Sequence, residues 1–161
     1  GLHGDVPLDT AAGKQIGRMI AERRMTCVLD VSEFNLRQDG FRFLADLAEA
    51  LLRWNTEPLH LFLEEADEYL PQSTREKGNL PRCLGAWQRL VRRGRQRGIG
   101  STLISQRSAV VNKDVLYMAE ALVAMRIASA PDRRTIQGWV VDHDVAPEIL
   151  DTLPTLAGGG G

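Results

Sequence analysis

Cysteine and histidine are scarce in this 161-residue sequence: two cysteines, Cys27 and Cys83, and three isolated histidines, His3, His60 and His143. Two cysteines cannot build a disulfide framework. With no CxxC pair and no ligand spacing between histidines, a structural zinc site is not expected. Long hydrophobic runs are missing too. Nothing approaches the roughly 18 apolar residues that span a bilayer, and no secretory leader is visible, so the expected location is the cytoplasm. An excess of one charge is also lacking. Twenty basic residues face 21 acidic ones, a net charge of −1, so the bulk balance does not call for nucleic acid, although an average hides separated patches. There is no internal repeat. What remains is 43% apolar and 25% charged, the profile of one globular domain, or most of one, with a real core.

Four short apolar runs alternate with amphipathic segments, which predicts an α/β fold with a parallel sheet covered by helices. The runs are Thr26–Val31, Leu59–Leu63, Ser101–Ser105 and Ala121–Ile127. Each is too short for a core helix and partly β-branched or aromatic, hence strand-like. Cys27 lies inside the first run and is expected in the core. Between the runs, Phe41, Leu44, Leu47, Ala48, Leu51 and Leu52 recur at three- and four-residue spacing, and Leu80, Leu84, Trp87 and Val91 make a second stripe, so both segments are predicted helices. Pro131 suits a first helical turn, with Asp132 placed for the helix dipole. Gln72–Asn79 is polar and contains glycine, which predicts a surface loop. Residues 1–156 form the expected domain, and 157–161 a glycine-rich tail without structure of its own.

In open α/β sheets, ligands bind beyond the carboxyl ends of the strands. Asp30, Glu64, Glu65 and Gln106 all stand at such ends. In Leu61-Phe-Leu-Glu-Glu-Ala-Asp-Glu-Tyr69 an apolar strand runs straight into two carboxylates. One acid at such a tip can hold hydrated Mg²⁺ while the next orients and deprotonates a water. The alternative is a buried strand followed by the acidic first turn of a helix. In Ser101-Thr-Leu-Ile-Ser-Gln-Arg107 the neutral amide of Gln106 fits a group that hydrogen-bonds a γ-phosphate or an attacking water, or else a turn residue. Arg82, Arg89, Arg93 and Arg97 share one helical face, either a solvated stripe or a phosphate-contacting one. Arg95 falls off that stripe, toward the apolar side and just after Gly94. It therefore needs a partner, local or on a neighbouring subunit.

Taken together, Leu63-Glu-Glu-Ala-Asp67, Arg92-Arg-Gly-Arg-Gln-Arg-Gly-Ile-Gly100 and Leu103-Ile-Ser-Gln-Arg107 resemble the HerA/FtsK superfamily of P-loop ATPases, in that order and spacing. Val115–Ile127 looks like the last core strand of that family with its preceding helix, and the resemblance covers nearly all of positions 4–156. It implies a RecA-like three-layer fold with a mainly parallel sheet. It also implies ATP with Mg²⁺ as cofactors, a hexameric ring of like subunits, DNA in the central channel of a translocase or helicase, and in some members a nuclease partner. By the match, Glu64 is the metal-side acid, Glu65 the catalytic base, Gln106 the sensor, and Arg95 an arginine finger acting on a neighbouring subunit. The family's GxxxxGK[ST] loop is absent, and Gly4–Lys14 is no substitute because its spacing is too long and Gln15 follows the lysine. The resemblance therefore implies that the first core strand and phosphate loop lie upstream of Gly1. The missing strand would sit between the strands ending at Gln106 and Ile127. Conjugative or secretion-coupling ATPases of the same superfamily, or a non-hydrolysing assembly relative, are the alternative readings.

Overall fold

Glycine shapes the first element. In a computed structural model describing residues 6–32, 34, 36–73, 78–144 and 147–154, helix α1 runs Gly13–Arg23 and packs lengthwise on α2, Arg37–Trp54. Gly13 and Gly17 lie at the contact. A Cβ on Gly17 would stand 2.7 Å from the Ala50 Cβ and 2.9 Å from the Leu47 carbonyl oxygen. Only hydrogen side chains allow this approach, which buries Ile20 and Ala21 against the long helix. Gly17→Leu is therefore expected to lower the thermal midpoint of the chain by about 5 °C or more through overpacking. An unchanged midpoint in calorimetry would refute the close approach.

The stripe predicted on α2 is inward as expected: Phe41, Leu44, Leu47, Ala48 and Leu51 are buried and Leu52 is half-buried. Next comes β1, Leu59–Leu63, then the four-residue helix α3, Ala66–Tyr69. Helix α4, Leu80–Arg93, buries Leu80, Leu84 and Trp87 as predicted. A 3₁₀ turn over Gly94–Arg97 leads into β2, Ile99–Leu103. The short α5, Lys113–Leu116, precedes α6, Ala130–Asp142, where Pro131 takes the first turn and Ser129 caps. Part of the predicted surface loop, residues 74–77, and the glycine-rich tail lie outside the described residues.

β1 and β2 pair in parallel, Leu59 beside Ile99 through Leu63 beside Leu103. The described architecture is thus α/β with a two-stranded parallel sheet, two strands fewer than the four runs predicted. The third run also starts two residues earlier than expected. Thr26–Val31 and Ala121–Ile127 are not assigned to strands, although residues 28–31 and 121–125 keep a strand's alternation of exposed and half-buried positions. Leu29 and Val31 pack on the main core while Val28 is 96% exposed. Leu122, Ala124 and Ile127 pack on a second cluster around Ile136, Trp139 and Val140, while Val123 is 88% exposed. Side-chain burial fixes which face points inward, but a strand also needs a ladder partner at about 4.8 Å, and neither run has one among the described residues. Cys27, expected in the core, is exposed for the same reason, whereas Cys83 is buried, which pushes its thiol up to about 12.

Helices cover one face of the sheet, the one carrying Leu59, Leu61 and Leu63. The other face shows His60, bonded to the Thr102 hydroxyl at 2.8 Å, and Phe62, which is 70% exposed.

Candidate functional site

Beyond Leu63 the ladder skips two residues. The Ile104 N–H donates to the Leu63 carbonyl and the Ala66 N–H donates to the Ile104 carbonyl, both at 2.9 Å. Glu64 and Glu65 are left out of the pairing, exposed at the carboxyl end of β1. Glu65 adopts a left-handed backbone, φ 51°, a conformation costing a non-glycine residue roughly 1–2 kcal/mol. Although Glu65 occupies the position before α3, its side chain makes no capping hydrogen bond. The strain holds a carboxylate out in solvent at the strand tip, where such outliers commonly mark function.

At the neighbouring tip, β2 ends at Leu103, so Gln106 stands three residues along the following loop rather than directly at the strand end. It is exposed, on the same end of the sheet as Glu65. Its loop is held on both sides. The Ser105 hydroxyl donates to Asp67 Oδ1 at 2.6 Å and accepts the Arg107 N–H at 3.0 Å. Beyond it, Asp132 accepts the Ala109 N–H at 2.7 Å and the Ser108 hydroxyl at 3.1 Å. Burial pushes Asp132 up, but these hydrogen bonds, with help from Ser129 and Arg107, outweigh it and hold the carboxyl below its ordinary range. Protonating it at low pH therefore costs native stability, since the folded state favours the charged form.

The tip is acidic. Burial first, then the charges of Glu68, Asp30 and Glu65, push the Tyr69 hydroxyl above its usual value, with Arg37 opposing. Asp30 and Glu65 thus both lie within electrostatic reach of one phenol. Asp30 itself accepts the Ser32 N–H at 3.0 Å and hydroxyl at 2.6 Å, which lower its carboxyl. It closes a turn at the end of its run.

Arg95 is elsewhere. It belongs to the 3₁₀ turn that enters β2, at the end of the sheet opposite Glu65 and Gln106. The helix ends at Arg93, so the turn directs Arg95 into solvent instead of toward the apolar side as expected. Its side chain is 86% exposed and pairs with Glu120 at 3.2 Å. The predicted basic stripe is also divided. Arg82 and Arg89 reach across to Glu49 of α2, at 2.6 and 3.4 Å, and Arg82 reaches Asp46 as well. These two arginines clasp two helices, while Arg92, Arg93 and Arg97 stay exposed.

Asp67 and Ser105 were not singled out by the sequence. Asp67 follows Glu65 by two residues and Ser105 precedes Gln106, but only the fold reveals that they meet. Among the described residues no group of three or more His, Cys, Asp or Glu side chains is disposed to hold a metal ion. Glu64 is a single exposed carboxylate, so a hydrated cation there would need a further donor. No helix is long and apolar enough to cross a membrane.

No family model matches the chain. It is 28% identical over 104 residues to the DNA double-strand break repair helicase HerA of Pyrococcus furiosus. It is 32% identical over 104 residues to the probable DNA double-strand break repair helicase HerA of Methanocaldococcus jannaschii. These matches take in 63% and 65% of the chain but only 17% and 19% of the relatives, so the chain spans less than a fifth of their length. The similarity supports a relationship to HerA-like P-loop ATPases at the level of the family.

Proposed function

We propose that this chain is the C-terminal part of a RecA-like motor domain from an ATP-hydrolysing DNA translocase or helicase of the HerA/FtsK type. One observation carries the reading: two carboxylates just past β1 and an amide on the loop that follows β2 are all exposed at the same end of the two-stranded parallel sheet. Phosphoryl transfer needs little covalent help from the protein, so positioning and charge decide its rate. Glu65 accepts the proton of the attacking water, and Gln106 hydrogen-bonds that water or the γ-phosphate. Glu64 would hold Mg²⁺ through water, and the ion would supply positive charge to offset that of the phosphates. Arg95, facing away from its own chain's tip, serves the site of the next subunit in a ring, a hexamer in the family resembled. DNA in the ring's channel, a nuclease partner and a cytoplasmic setting belong to the same proposal.

The unpaired apolar runs support it further. Phe62, Ile104, Val123 and Met125 are exposed, and residues 121–125 alternate like a strand without a ladder. A further strand between β2 and that run, leading into a phosphate-binding loop, would pair both. The 161-residue chain alone is accordingly expected to bind ATP weakly and not to hydrolyse it, since backbone N–H groups and a lysine of such a loop supply most β- and γ-phosphate contacts. Phosphate release by the purified chain checks this. Robust Mg²⁺-dependent turnover would overturn the placement of the phosphate loop outside residues 1–161.

A further inference from the structure

We propose, resting on the roles just given to Glu65 and Gln106, that Asp67 and Ser105 are positioning residues that set the Gln106 loop against the Glu65 tip. Asp67 is the one carboxylate buried among the described residues, 7% exposed. A buried carboxylate is costly unless its acceptors are used. Here its oxygen takes the Ser105 hydroxyl at 2.6 Å across 38 positions of sequence. The same hydroxyl accepts the Arg107 N–H, so one oxygen atom fixes the residues on either side of Gln106. Asp67 lies two residues after Glu65, on the segment whose first N–H is bonded to the Ile104 carbonyl. The backbone bond and the Asp67–Ser105 bond together form two adjacent struts between the tips. Their effect is to keep a base and an amide in register when one water must face both.

A purely structural link behaves differently from a positioning one. Replacing both partners of a buried hydrogen bond by apolar groups can cost little stability, and the Arg107 N–H that Ser105 would release is exposed to water. The Asp67→Ala, Ser105→Ala double variant should thus fold with a near-native thermal midpoint yet hydrolyse ATP slowly. In the natural protein carrying this chain, Ser105→Ala should lower kcat about tenfold with KM for ATP within about twofold, the loss expected when alignment rather than binding is disturbed. Ser105→Thr, which keeps the hydroxyl, should restore most of the rate. The double variant should be no slower than the slower single variant, because both changes break one link. Gln106→Ala, measured alongside, separates the two levels of inference. If Gln106→Ala slows turnover but Ser105→Ala does not, or if Ser105→Thr is as slow as Ser105→Ala, the positioning link is overturned and the role of Gln106 stands. If Gln106→Ala leaves the rate intact, the role of Gln106 is overturned and the link falls with it.

Discussion

Replacing Arg95 by alanine is expected to reduce ATP turnover of the natural protein by about 10³–10⁵-fold, the range for arginines that stabilise transition-state charge from outside the site. ATP should still bind and the assembly should still form. The expectation rests on where Arg95 stands. A five-residue strand spans about 13 Å, and Arg95 lies before the start of β2 while Glu65 and Gln106 lie past the carboxyl ends. Within one chain it faces the wrong end; between chains it is free to reach, being 86% exposed. Its pairing with Glu120 does not explain a large loss, because exposed ion pairs are worth about 0–1 kcal/mol. Arg93→Ala, an exposed neighbour on the same basic segment, should leave turnover within about twofold, since solvated arginines contribute modestly. Steady-state phosphate release with sedimentation of the same samples decides it. Full activity of Arg95→Ala would reduce the segment to a charged surface.

Glu65→Gln is expected to lower turnover by about 10²–10⁴-fold, the usual worth of a positioned general base, while ATP affinity stays near that of the unchanged protein. The geometry makes the substitution clean. Glutamine has the same size and meets the same left-handed backbone cost at φ 51°. No capping hydrogen bond is lost, as Glu65 makes none. Folding should therefore be unaffected and the change confined to the proton acceptor. Equilibrium nucleotide binding alongside single-turnover hydrolysis checks both halves. A variant hydrolysing at the original rate would make Glu65 only the residue before a short helix.

Features governed by local periodicity were legible in the sequence. The stripes of α2 and α4 predicted the buried faces, with Leu52 and Val91 only half-buried at their edges, and Pro131 with Asp132 marked the start of α6. Leu59–Leu63 was read to the residue because its boundaries are sharp, proline before it and two carboxylates after. Ladder partners were not legible. Thr26–Val31 and Ala121–Ile127 have the composition of strands, but pairing depends on what lies beside them. Helix α1 escaped notice because Gly13 and Gly17, which look like helix breakers, are what let it approach α2. The direction of Arg95 was misjudged by extending helical spacing past Arg93, where a 3₁₀ turn takes over. Asp67 and Ser105 lie inside the two motifs, but nothing in the sequence pairs one with the other. Their meeting is a product of the parallel register and of the loops that follow each strand.

Mixing two inactive variants tests the shared site most directly. Arg95→Ala subunits retain Glu65 and Gln106, and Glu65→Gln subunits retain Arg95, so some interfaces of a mixed assembly pair an intact tip with an intact arginine. The predicted result is ATP turnover in the mixture well above that of either variant alone, rising and falling with the mixing ratio. Mixed assemblies that demonstrably form yet show no turnover above the two variants measured separately would contradict a site divided between subunits.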